Sequence, residues 1–124
     1  MFRTAFTMVA AVVGLLILPT VSRAGDVAAP RQVFVVNTQD ASVSRVDLET
    51  MKELYRYPVG PRPYGIAVSR DGKTVAVGVE DEEKVKFFNA ADFKLRGETH
   101  IGQMFNDHIV LSQDGKYFLV ANFY

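Results

Sequence analysis

The feature that most constrains this chain is self-similarity at a spacing of 42 to 43 residues. Val33-Phe34-Val35-Val36-Asn37 returns as Val75-Ala76-Val77-Gly78-Val79, and again as Tyr117-Phe118-Leu119-Val120-Ala121-Asn122. Ser69-Arg70-Asp71-Gly72-Lys73 recurs as Ser112-Gln113-Asp114-Gly115-Lys116, and Val43-Ser44-Arg45-Val46-Asp47 as Val85-Lys86-Phe87-Phe88-Asn89. Tyr57-Pro58-Val59-Gly60 matches Thr99-His100-Ile101-Gly102. The runs are short and rich in β-branched residues, as strands are. A period of this length with short strands points to blades of a β-propeller.

One complete unit divides into four strands, predicted near residues 64–69, 74–79, 84–89 and 93–101. Asp71-Gly72 and Asp114-Gly115 supply the tight turn between strands one and two: aspartate accepts from the turn backbone and glycine takes a positive φ. Asn89 and Asp47 open the turns between strands three and four, where each can cap its own turn. Strand one is nearly all apolar or small, as expected of a strand buried on both faces. The chain therefore reads as all-β, with four-stranded antiparallel blades. Residues 32–60 give strands two to four of one blade, residues 61–102 a full blade, and residues 103–124 strands one and two of a third. About two blades are present, whereas closed propellers take roughly four to eight. A partial stack exposes apolar sheet faces at its ends. The expectation is a fragment of a longer protein or an assembly of copies, and the stop inside a blade favours a truncated chain.

Residues 1–24 read as a secretory signal: Arg3, an apolar run at residues 5–18 broken only by Thr7, Pro19, then Ser22-Arg23-Ala24 before Gly25. The competing reading, an uncleaved membrane anchor, needs about 20 apolar residues, more than this run offers. A cut after Ala24 would leave a lead-in at residues 25–31 and a partial repeat domain at residues 32–124. Localisation would be periplasmic or secreted, without a stable membrane anchor. The full chain carries 14 basic and 14 acidic side chains, so no broad electrostatic grip on nucleic acid is indicated. It has no cysteine, which removes disulfides, thiolate metal sites, Cys-x-x-Cys-His haem attachment and a cysteine nucleophile from these residues. The sequence shows no nucleophile elbow, phosphate loop or zinc spacing.

Gly60-Pro61-Arg62-Pro63-Tyr64-Gly65-Ile66-Ala67-Val68-Ser69-Arg70-Asp71-Gly72-Lys73 resembles the YVTN-type β-propeller repeat, and so do Val33–Thr38, Val43–Thr50 and Tyr57–Gly60. Such repeats also resemble the propellers of methylamine-dehydrogenase heavy chains and of nitrite-reductase haem domains. The chain departs from the repeat at Gly78 and Glu80, and at residues 103–108, which replace the proline-containing entry at residues 61–63. The resemblance implies an exported propeller and leaves its cofactor unknown.

Ligands of propellers are usually taken up on the face formed by the four-one and two-three loops, an analogy at the level of the fold. The candidate contacts there are Arg62, Tyr64, Asn106, Asp107 and His108. Arg62 offers a donor fork for carboxylate or phosphate and Tyr64 a stacking face. The alternative is that Arg62 covers the rim and Tyr64 packs between blades. Asp107 and His108 could serve as metal or haem ligands or as an acid–base pair. Neighbours on a strand point to opposite faces, however, which argues against convergence on one metal. The run Glu80-Asp81-Glu82-Glu83 could bind calcium but lacks calcium-loop spacing, so a solvated loop is expected. The leading function is a non-catalytic binding or scaffold module for a protein or small ligand. The alternatives are a propeller subunit of a periplasmic redox enzyme, haem- or quinone-linked, and a truncated product with no independent function.

Overall fold

The computed structural model describes residues 31–102 and 108–122. The signal-like segment and Asn106 and Asp107 lie outside the described residues. Among the described residues, nine strands form three antiparallel sheets. β1 (Gln32–Asn37), β2 (Ser42–Asp47) and β3 (Lys52–Pro58) make the first. β4 (Pro63–Val68), β5 (Thr74–Val79), β6 (Lys84–Asn89) and β7 (Leu95–His100) make the second. β8 (His108–Leu111) and β9 (Phe118–Ala121) make the third. Within each sheet the strands pair in sequence order, as hairpin-linked blades require.

The repeat is visible in the backbone as well as in the letters. Ala41 and Glu83 both adopt left-handed φ, as do Met51 and Phe93. The β2–β3 pairing shifts register between Arg45 and Val46, and the β6–β7 pairing between Phe87 and Phe88. Bulges at matching repeat positions bend matching outer strands alike. The one-two turns are built twice from the same bonds. Ser69 Oγ donates to Asp71 Oδ1 at 2.6 Å and accepts from the Thr74 amide at 2.9 Å; Ser112 does the same with Asp114 and the Tyr117 amide, at 2.6 and 3.0 Å. Gly72 takes φ 69° between them, a value that a side chain would strain.

The core lies between the sheets. Val75, Val77 and Val79 of β5 face the first sheet, where they meet Val43 and Val59, with Phe34, Val36 and Tyr57 alongside. Ala76, on the opposite side of β5, joins Val85 and Ile109 against the third sheet, with Phe87, Phe118 and Val120. β5 alternates as a pleated strand must, and finds an apolar neighbour on each side. Phe93 fills the first interface: its ring stacks on Tyr57 at 4.4 Å and on Phe88 at 4.8 Å, with Phe34 at 5.7 Å.

Two expectations need correction. Phe93 belongs to the three-four turn and not to strand four, because φ 56° carries its ring out of the outer strand and into the core. Strand one is not buried throughout: Tyr64 and Val68 of β4 are exposed, because β4 is the edge of its sheet and the fully enclosed strand is β5.

Phe93→Ala should lower unfolding free energy by about 3–5 kcal/mol in a denaturant titration, the usual cost of emptying an aromatic core site. Its repeat counterpart Met51 is 74% exposed, so Met51→Ala should stay within about 0.5 kcal/mol. In the turns, the Ser69 hydroxyl, then the Lys73 amide, hold the Asp71 carboxyl below its ordinary value of 3.8, and Ser112, then Lys116, do so for Asp114. A lowered folded pKa contributes stability that is full above the ordinary value and is lost as pH falls through the lowered one. Carboxyl NMR titration should show Ser69→Ala raising the Asp71 pKa and leaving Asp114 unmoved.

Candidate functional site

The loops expected on the ligand face do converge. The two-three connections are single 3-10 turns at Thr38–Asp40 and Glu80–Glu82, each closed by a left-handed residue. They are tied to the four-one connections by repeated bonds: the Val59 amide donates to the Ala41 carbonyl at 3.0 Å, and the Ile101 amide to the Glu83 carbonyl at 2.9 Å. The one-two and three-four turns meet at the other end of the sheet, where the Ala90 amide donates to the Lys73 carbonyl at 2.9 Å.

Glu80 organises the rim. Its side chain is 0% exposed, and its carboxylate ion-pairs with the Arg62 guanidinium at 2.8 Å. Arg62 also reaches Asp81 at 3.3 Å, and the Glu80 amide donates to the Arg62 carbonyl at 3.1 Å. Arg62 itself holds φ 51°, so the main chain turns to bring carbonyl and guanidinium onto the same residue. The expectation of a solvated acidic run fails at Glu80. Three neighbouring acids suggested water as partner, but Glu80 follows directly on β5, where its amide bonds the Arg62 carbonyl and its buried carboxylate meets the Arg62 guanidinium. The other acids are engaged too. Glu82 accepts from Lys86 Nζ at 2.8 Å, and Lys86 also donates to the Val59 carbonyl at 2.9 Å, bridging to the preceding sheet. Glu83 lies 3.1 Å from His100. Gly60 permits this close packing: a Cβ there would stand 2.5 Å from Glu82 Oε1 and 2.9 Å from Val79. No cluster of three or more His, Asp or Glu side chains among the described residues is arranged to hold a metal.

Arg62 and Tyr64 therefore have separate roles. The Arg62 charge is committed to Glu80 and Asp81, while Tyr64, inside β4 and not in the loop, is 43% exposed and presents its ring to solvent. His108 is the exposed first residue of β8, in register with Ala121. What sequence reasoning missed was Glu80 as the partner of Arg62. The signal available was the departure from the repeat at position 80, whose counterpart Thr38 is uncharged and bonds instead to the Pro63 carbonyl at 2.8 Å.

Residues 20–116 match the family model described as YNCE-like beta-propeller. Among solved structures, the chain is similar to Kuenenia stuttgartiensis hydrazine synthase (28% identity over 73% of this chain and 25% of that one, TM-score 0.68). It is similar in fold to the dihydro-heme d1 dehydrogenase NirN in complex with DHE (23% identity, 76% and 20% coverage, TM-score 0.63). It is likewise similar in fold to the WD40 beta propeller domain of Doa1 (18% identity, 72% and 29% coverage, TM-score 0.61). The chain thus spans between a fifth and a third of the length of these three. No curated protein sequence matches it.

Arg62→Ala should destabilise the fold by about 1.5–3 kcal/mol in denaturant, because it takes a charge-assisted bond from a buried carboxylate. Tyr64→Ala should change stability by no more than about 0.5 kcal/mol. Equal costs for the two would refute the structural role assigned to Arg62.

Proposed function

The chain belongs to the YNCE-like β-propeller family, and from that premise we propose that it is an exported binding module that offers its loop face to a protein partner or small ligand. The observation that carries this reading is the division of labour on that face. Ion pairs and main-chain bonds spend Arg62, Glu80, Glu82 and Lys86 on fixing the loops. Tyr64 and His108 are left exposed on a held framework. A stacking ring and an imidazole on rigid elements suit recognition, since little side-chain order is lost on contact. Asn106 and Asp107 belong to the same candidate surface by sequence position.

Export is part of the proposal: residues 1–24 direct the chain out and are removed, residues 25–31 lead in, and residues 32–124 form the partial propeller. Expressed with its own leader in a Gram-negative host, the protein should appear in the periplasm with a mass beginning at Gly25. Recovery in the membrane with Met1 retained would contradict it. For the binding face, a photo-crosslinking residue at position 64 should capture a discrete adduct, while the same probe at Tyr117, beside the one-two turn at the opposite end, should not. Indistinguishable labelling from both positions would count against the loop face.

A second reading is supported by the 28% identity to hydrazine synthase: a propeller portion of a redox enzyme. This chain holds no cysteine, so covalent haem attachment through thiols would have to lie outside it. A haem-linked protein would absorb strongly at roughly 400–600 nm when purified with its full complement of blades. A colourless preparation would remove the haem version.

A further inference from the structure

We infer that the open edge of β1 is an acceptor for an added strand, taking in trans an extended segment with the chemistry of β4. The second sheet has four strands and the first has three. In repeat register β1 corresponds to β5, β2 to β6 and β3 to β7. Nothing among the described residues corresponds to β4 on the far side of β1. Between β1 and β4, toward the end that carries the one-two and three-four turns, lies a cleft of about 650 Å³ lined by Gln32, Val33 and Phe34, by Ile66, Ala67 and Val68, and by turn residues such as Lys73 and Ala90.

The direction of the backbone groups on β1 can be read from its counterpart. The Ser69 amide donates to the Thr74 carbonyl at 2.8 Å and the Glu80 amide to the Arg62 carbonyl at 3.1 Å, so even-numbered residues of β5 aim their polar groups at β4. The Ala90 amide donates to the Lys73 carbonyl at 2.9 Å, so odd-numbered ones aim at β6. In the first sheet the Leu48 amide donates to the Arg31 carbonyl at 2.8 Å, which sets the same alternation. Val33 and Val35 therefore bond to β2, while Gln32, Phe34 and Val36 turn their N–H and C=O groups to the open edge. Strand groups that have no strand partner among the described residues, beside a largely apolar cleft, are a template for strand addition.

The occupant's chemistry follows from continuity with the neighbouring interface. β4 pairs with β5 through Ile66 opposite Val77, Ala67 opposite Ala76 and Val68 opposite Val75. Transferred by one repeat, an added strand would set branched residues opposite Val35 and Val33. A small residue would lie opposite Phe34, facing β4. The inference rests on sheet register and stands or falls apart from the loop-face proposal.

The probe is a synthetic peptide with the sequence of residues 62–73, added to the full chain, with hydrogen exchange followed by NMR. Without peptide, the Phe34 and Val36 amides should exchange much faster than those of Val33 and Val35. With saturating peptide they should slow by ~10-fold or more. The peptide carrying Ala67→Lys should leave them unchanged, because a charge would be forced between the sheets. The inference is overturned if Phe34 and Val36 are as protected as Val35 before any peptide is added. It is equally overturned if saturating peptide leaves their exchange unaltered, or if the lysine peptide protects them as well.

Discussion

β5 owes its stability to having an apolar sheet on each side, and the rest of the structure follows from that placement. Its residues divide by size as well as by face. Val75, Val77 and Val79 project toward the first sheet, whereas Ala76 and Gly78 leave shallow ground on the other side. The bulk missing there is supplied by β6 and by the third sheet, as Phe87, Ile109 and Phe118. Each fully buried valine contributes on the order of 1.5–3 kcal/mol, but only while the facing sheet is present to exclude water. Stability in such a stack resides in the interfaces between units as much as in the units themselves. The outward faces of the end sheets show what a sheet looks like without that cover: Val33 and Val35 at one end, Val110 and Leu119 at the other, are all exposed.

Polar side chains serve the same stacking at the loop ends. Lys86 leaves its own sheet to donate to the Val59 carbonyl, so an ammonium crosses the interface that the valines fill further down. Arg62 does comparable work within the second sheet by meeting Glu80. A pair that joins a buried carboxylate to a half-exposed guanidinium adds little over an apolar substitute, yet it favours one geometry, since others leave the buried charge farther from its counterpart. The loops are thus held in place by groups that are not then available to a ligand. The exposed Tyr64 and His108 remain as the surface on which recognition would act.

Most of the fold was legible because the repeat fixes several features at once. β5 and β6 occur at residues 74–79 and 84–89 as expected, and the Asp-Gly turns carry the bonds that their letters imply. The sheet count was legible for the same reason. What was not legible depends on direction in space. Phe93 looks like the first residue of an outer strand, and only its left-handed backbone reveals that its ring belongs to the core. Glu80 sits in a run of four acidic residues, and composition cannot tell the one whose side chain points inward. The exposure of β4 was missed because an apolar strand reads as buried whether or not a neighbour covers it.

The mutual shielding of the sheets is tested most directly by detaching one of them and watching β5. A charge at Ile109, as Ile109→Asp, should dislodge the third sheet, and native-state hydrogen exchange would then report on residues 75–79. Mutual shielding predicts that the Ala76 to Val79 amides lose protection together with those of β8 and β9. If β8 and β9 exchanged freely while β5 kept its full protection, the second sheet would be self-sufficient, and the idea that these units stand only by leaning on one another would be wrong.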